Sequence, residues 1–199
     1  MTNVAVTIEQ KDLIPFSTYK QGRDEYIRKM IAYKNSRRVR LDQNISLLFE
    51  NRQTVFFQIQ ELVFSEDLTD TAEIDEYISI YSTMLPNANE LSATLFIEID
   101  NQALLEEFLI KLKGIEHALF MKIGDEMIKA VFEEEHDELE FTTSVHYIKF
   151  PLSKNAQSLM TSKSAEDFPV LIILNHPALH SEVLLTAEAV ASLRTDLTY

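Results

Sequence analysis

RRVRLDQNISLLFENRQTVFFQIQEL, the run from Arg37 to Leu62, decides how the rest of the chain is read. Its first half predicts two short strands, Arg38 to Leu41 and Ile45 to Phe49, around the turn residues Asp42, Gln43 and Asn44. Its second half predicts a helix from about Asn51, a good N-cap, to Phe64. Arginines, glutamates and glutamines sit inside segments that otherwise read as core. Polar groups buried this way need partners, so the run holds either an internal hydrogen-bond network or a site.

On a helical wheel starting at Glu50, residues Val55, Ile59, Leu62 and Val63 form an apolar stripe, and Glu50, Thr54, Gln58 and Glu61 share the other face. Phe57 and Phe64 border the polar side. Such a helix packs on two sides or offers its second side to a ligand. Arg52, in the first turn, calls for a carboxylate fork such as Glu98. Pairing of Arg52 and Glu61 with nearby strand residues in a buried ion-pair network is the structural alternative.

Outward from this run, Tyr26, Ile27, Met30 and Ile31 recur at helical spacing and predict a helix over about Gln21 to Asn35. Ile74, Tyr77, Ile78, Tyr81 and Leu85 mark another, closed by Pro86. Leu91 to Ile99 alternate as a strand with one buried face. Leu104, Leu105, Phe108, Leu109 and Leu112 form a helix stripe capped near Gly114. Ala118 to Ile123 and Met127 to Phe132 flank Gly124-Asp125 as a hairpin. Further strands are expected at Thr142 to Phe150 and Val170 to Leu174, with short helices near Asn155 to Met160 and Thr186 to Leu193. VLIIL, apolar on both faces, suggests a central strand. The pattern predicts one α+β domain over residues 1–199, with a mostly antiparallel sheet of about six strands and N-terminal and flanking helices.

The 199 residues are 46% hydrophobic, enough for a real core, and contain no cysteine. Disulfides, thiolate nucleophiles and cysteine-ligated metal clusters are thereby excluded. No stretch reads as a membrane span and the first eleven residues are too polar for a secretory leader, so the expected compartment is the cytoplasm. The net charge of -14 argues against nucleic-acid binding. Yet Lys20 to Arg40 carries eight basic residues against two acidic ones, a local +6 in a background of -20. It is either solvated or packed on the chain's own acids, or it docks an anion or acidic partner. Glu133 to Glu140, six of eight acidic, reads as a solvated loop.

The three glycines form no phosphate cradle, and no HExxH or GxSxG occurs. His176 and His180 in NHPALH are separated by a proline that breaks a helical i, i+4 pair. His146 in SVHYIKF and His176 would meet only if their strands are neighbours, with Glu98 or Glu61 completing a metal or acid–base site. His117 and His136 read as surface positions.

RRV (Arg37 to Val39), LLFENRQTV with QIQEL (Leu47 to Leu62), ATLFIEI (Ala93 to Ile99), SVHYIKF (Ser144 to Phe150) and NHP (Asn175 to Pro177) resemble, in that order, a bacterial family known only as a domain of unknown function. Asp42-Gln43-Asn44 departs from the Gly or Pro usual there in the first turn. The resemblance implies genes beside rubrerythrin-like proteins and iron–sulfur oxidoreductases, hence a setting of redox stress, and no established activity or cofactor. Two functions are therefore expected. In the first, an accessory or adaptor protein docks a redox partner through Arg23, Arg28, Lys29, Arg37, Arg38 and Gln58. In the alternative, a small-molecule or metal-dependent enzyme gathers Arg52, Glu61, Glu98, His146 and His176 in one pocket.

Overall fold

The computed structural model describes residues 7–133, 139–162 and 167–198. Position 136 and most of the acidic run lie outside them. A long helix, α1 (Phe16–Ser36), begins straight after Pro15. It starts earlier than the apolar spacing suggests because its first turns pack mainly through aromatic rings, Phe16 and Tyr19 against Phe64. Strands β1 (Arg38–Arg40) and β2 (Ile45–Glu50) follow, then α2 (Arg52–Ser65), α3 (Thr71–Ser82) and β3 (Glu90–Ile97). After α4 (Gln102–Lys111) come β4 (Leu119–Ile123), β5 (Glu126–Lys129), β6 (Val131–Phe132), β7 (Val145–Pro151), α5 (Lys154–Ser162), β8 (Val170–His176), β9 (Leu179–Leu184) and α6 (Ala187–Asp196).

The α+β class holds, and every strand pairing is antiparallel. The described strands divide over two sheets, β1-β2-β3-β7-β6 and β5-β4-β8-β9. β5 and β6 are separated only by Ala130, whose N–H bonds Leu119 O, so a single bent stretch passes from one sheet to the other. Residues of both sheets share one core: Leu47, Phe49, Leu95 and Ile148 from the first, Leu119, Met121, Ile172 and Leu174 from the second. VLIIL is β8, interior to its sheet as its apolar faces require. A second cluster, with Val55, Ile59, Ile74 and Ile78, joins α2 to α3.

Gly124 takes φ +58 in the β4–β5 turn, a left-handed conformation that glycine enters without a Cβ penalty. The first turn closes by reciprocal backbone bonds between Asp42 and Ile45. β9 is absent from the sequence reading, which took Pro177 only as breaking a helical pairing of His176 and His180. Pro177-Ala178 is instead a tight hairpin turn, and a proline there leaves no ladder bond unmade.

Because the sheet alternates, β2 and β3 send Leu47, Phe49, Ala93 and Leu95 to the core, and Ser46, Glu50, Ser92, Thr94 and Phe96 to the face under the helices. Glu50 therefore ends a strand. It does not share the α2 wheel with Thr54, Gln58 and Glu61. The helix begins after it, with Asn51 Oδ1 accepting from the N–H groups of Gln53 and Thr54 as the N-cap.

Candidate functional site

Three of the expected site residues turn out to be structural ties. Arg37 is fully buried, and its guanidinium donates to Phe49 O at 3.0 Å, to Ser192 Oγ at 2.9 Å and to Asp196 Oδ2. Asn51 Nδ2 donates to the other oxygen of Asp196 at 2.9 Å and to the Tyr33 hydroxyl at 2.7 Å. The ends of α1 and α6 and the start of α2 are thus pinned at one point. Burial raises the Asp196 pKa above the ordinary carboxylate value despite Arg37 and Asn51. Nothing in the sequence near Arg37 announced Asp196 as its partner.

Glu61 pairs with Arg23 across the α1–α2 interface, accepting from Nε at 2.9 Å and Nη2 at 2.7 Å, and from the buried Tyr19 hydroxyl at 2.6 Å. Partial burial acts to raise the Glu61 pKa, but the bonds from Arg23 and Tyr19 outweigh it and hold the carboxyl below its usual range. Burial, reinforced by Glu61, pushes the Tyr19 phenol well up. Arg52 does not reach Glu98; it donates to Thr7 O at 3.0 Å and to Asp12 Oδ2 at 2.8 Å. Glu98 is exposed at the end of β3.

His146 pairs in register with Leu95, which turns it to the core face. The Thr142 hydroxyl donates to Glu116 Oε1 at 2.7 Å and lies 3.0 Å from His146 Nε2. A hydroxyl has one proton to give, so Nε2 is the protonated ring nitrogen and donates to Thr142. His176 accepts from Ala178 N–H at Nδ1, at 3.2 Å, and donates from Nε2 to Lys113 O at 2.8 Å. Both of its nitrogens are committed to backbone, so it braces the hairpin. His180 faces Glu182 and Asn175 on the surface. The structure does not bring Arg52, Glu61, Glu98, His146 and His176 together: Arg52, Glu61, His146 and His176 are engaged by different neighbours and Glu98 is exposed. Among the described residues, no group of three His, Asp or Glu side chains gathers to hold a metal.

A different set converges under the helices. Glu50 is 2% exposed, and its Oε1 accepts from the Thr94 hydroxyl at 2.9 Å. Its Oε2 has no hydrogen-bond partner. Lys34, half-buried, holds its ammonium 5.0 Å from the Phe57 ring centroid. Burial lowers the Lys34 pKa, Glu50 opposes that fall and Arg38 adds to it. Lys34 and Glu50 feel each other without a hydrogen bond or ion pair between them. Arg38 donates to Ser46 Oγ at 2.7 Å and lies over Phe96, 5.2 Å from its centroid.

Of the eight cations between Lys20 and Arg40, Arg23, Lys29 and Arg37 have carboxylate partners. Among the described residues, Lys20, Arg28, Lys34, Arg38 and Arg40 have none; Arg28 and Arg40 bond only the backbone oxygens of Asp24 and Gln43. Gln58 is half-buried on α2 and its amide makes no hydrogen bond among the described residues. Among the described residues, no helix is long and apolar enough to cross a membrane.

A family profile described as a protein of unknown function, DUF3501, matches residues 7–197. No curated protein matches the chain. Among solved structures, a novel protein of unknown function from Burkholderia pseudomallei is similar at 28% identity and a TM-score of 0.87, covering 96% of this chain and 100% of its own.

Proposed function

This chain belongs to the DUF3501 family of proteins of unknown function, and from that premise we propose that it is a cytosolic accessory protein that docks an acidic partner on the basic corner formed by α1 and β1. The carrying observation is that, among the described residues, Lys20, Arg28, Lys34, Arg38 and Arg40 lack carboxylate partners in a chain of net charge -14. Charges of one sign left uncompensated on a surface of the other sign favour oriented encounter with a complementary partner. Exposed Ile31, 55% accessible on the same helix, adds an apolar contact to that surface. The sequence resemblance suggests a redox protein as the partner. Having no cysteine, the chain would then bring no thiol chemistry of its own and act by positioning.

Arg37, Arg23 and Lys29 are excluded from this surface or weakened in it, the first two by their roles in the fold and Lys29 by its pairing with Glu25 at 2.6 Å. The test is native mass spectrometry of tagged protein isolated gently from its host, for the wild type and for a triple variant, Lys20→Glu, Arg28→Glu and Arg40→Glu. A defined acidic protein should co-purify with the wild type, dissociate as salt rises and be lost from the variant. Equal capture by both would defeat the reading.

A further inference from the structure

We propose that the outer edge of β9 pairs with β9 of a second copy of this chain, antiparallel and centred on Ser181, so that His180 of each copy faces Glu182 of the other. The proposal goes beyond partner docking, since it uses neither α1 nor β1 and its occupant is this chain itself.

The described strands leave four sheet edges, of which β9 is the least protected. β1 has three residues, two of them arginines; β6 has two residues, and β5 has four and runs on through Ala130 into β6. β9 has six, in unbroken register with β8. Asn175 N–H bonds Ala118 O on the β4 side, so the alternate residues of β8 serve β9, where Leu185 N–H bonds Val170 O. The backbone groups of Leu179, Ser181 and Val183 therefore bond β8, while those of His180, Glu182 and Leu184 point away from the sheet. Among the described residues these outward groups have no backbone partner. A regular edge of this length is a template for another strand.

The side chains say which strand fits. In antiparallel pairing about a two-fold axis, outward-pointing residues face outward-pointing residues, so the axis passes beside one residue of the strand. Centred on Ser181, Leu179 meets Val183, His180 meets Glu182 and Leu184 meets Ala178 of the other copy. Apolar groups then face apolar ones, and an imidazole donor faces a carboxylate on both sides of the axis. Centred one residue earlier, His180 opposes itself; one residue later, Glu182 does, and like charges directly opposite are destabilising. The side chains of His180 and Glu182 are 58% and 53% exposed and meet within the chain only at 3.5 Å, so both have capacity for a second partner. Leu184, 62% accessible, is the most exposed large apolar side chain among the described residues, and the pairing lays it beside Ala178 of the other copy. So small a contact gives a weak dimer that depends on concentration.

Sedimentation velocity of the full chain over a rising concentration series reads the association, and the wild type should pass from monomer to dimer. Glu182→Pro removes an N–H that points outward and bonds nothing in the fold, so it should stay monomeric with the melting temperature of dilute wild type. Glu182→Lys should stay monomeric too, and adding His180→Glu should restore the dimer by exchanging the charges across the seam. Disulfides read the register, since the chain has no cysteine of its own. Ser181→Cys should cross-link to its own copy about tenfold faster than Glu182→Cys or Val183→Cys, because only residue 181 lies opposite itself at the short spacing of a non-hydrogen-bonded pair. The first of these gives up the hydroxyl bond to Leu41 O, and far-UV dichroism checks that each variant is folded. A wild type that stays monomeric throughout, a dimer that survives Glu182→Pro, or fastest cross-linking at 182 or 183 would overturn the proposal. Capture of a foreign strand by a monomer would overturn it as well.

Discussion

Two polar clusters lie side by side in this protein, Lys34 in the last turn of α1 and Arg37 just past it, Glu50 at the end of β2 and Asn51 next to it, and they are built on opposite principles. Arg37 and Asn51 belong to a closed one, in which the guanidinium and both oxygens of Asp196 are bonded and nothing faces outward. Lys34 and Glu50 belong to a half-bonded one, in which Glu50 Oε2 has no hydrogen-bond partner and the ammonium rests on the Phe57 ring without an ion pair among the described residues. A buried charge that is fully bonded is best explained by the fold it fixes. One left half-bonded is a standing cost that the fold does not need, and such costs persist where something other than folding uses them. The difference therefore sorts structure from candidate site more sharply than residue type does, since both clusters pair a cation with an acid.

The largest test of this contrast is Asp196→Asn. It keeps the shape but strips the charge from a 2% exposed side chain and leaves Arg37 buried without its counter-ion. A loss of about 3–5 kcal/mol is expected, read as a fall in Tm of about 10 °C for a chain of this size. The double variant Arg37→Met with Asp196→Leu should recover most of the loss, because the pair exchanges two desolvated charges for packing. A mild single variant would show that the closed cluster is not a tie at all.

Next in size is Thr142→Val. One hydroxyl serves both Glu116 and His146, so its removal takes a hydrogen bond from two buried groups at once. About 2 kcal/mol of destabilisation is expected in chemical denaturation. Thr142→Ser keeps the hydroxyl and should recover the bonding part of that loss.

Smaller again is Glu61→Gln, expected to lower Tm by about 2–4 °C, since its partners are partly exposed and screened. Here pH supplies the sharper reading. Glu61 sits below the ordinary glutamate value in the folded state, so the unfolded chain takes up its proton first as pH falls. Its contribution is complete above the unfolded value and drains away below it as pH falls through the folded value. The stability difference between wild type and Glu61→Gln should be flat above about pH 5 and shrink below it. A difference that grows with acid would reverse the assignment.

What the sequence disclosed follows from the range of the interactions. The Asn51 cap, the Gly124 hairpin and the existence of strands β3 and β8 are local, and each is legible from a few neighbouring residues; that β3 is buried on both faces, not one, is set by the helices packed on its Ser92 and Thr94 side. The need for partners in Arg37 to Leu62 was legible too; their identities were not. Asp196 lies 159 residues from Arg37, and Arg23 reaches Glu61 only because α1 folds back on α2. Glu50 was misplaced on a helical wheel because the step from strand to helix falls between it and Asn51, and a carboxylate at that boundary fits either period. Once the strand is recognised, alternation puts Glu50 on the face of Ser46 and Thr94, which is the one signal that could have found the half-bonded cluster. The five-residue pocket failed for the opposite reason: its members were joined by chemistry alone, with no register to bring them together.

The smallest expected effect is the most discriminating. Glu50→Gln keeps an oxygen to accept from Thr94 and turns the orphan oxygen into an amide nitrogen, so the fold loses no bond it had. It also removes a buried carboxylate whose one hydrogen bond among the described residues is from Thr94 and which has no ion pair among them. Stability should change by no more than about 1 kcal/mol, in the stabilising direction, as often happens when a strained or unsatisfied functional group is replaced. Chemical denaturation of Glu50→Gln beside Asp196→Asn makes the comparison directly, since each exchanges one buried carboxylate for its amide. Opposite signs would mean that Asp196 serves the fold and that Glu50 does not. A loss of several kcal/mol at Glu50 would place it with Asp196, and the two clusters would then be one network with a bond not yet accounted for.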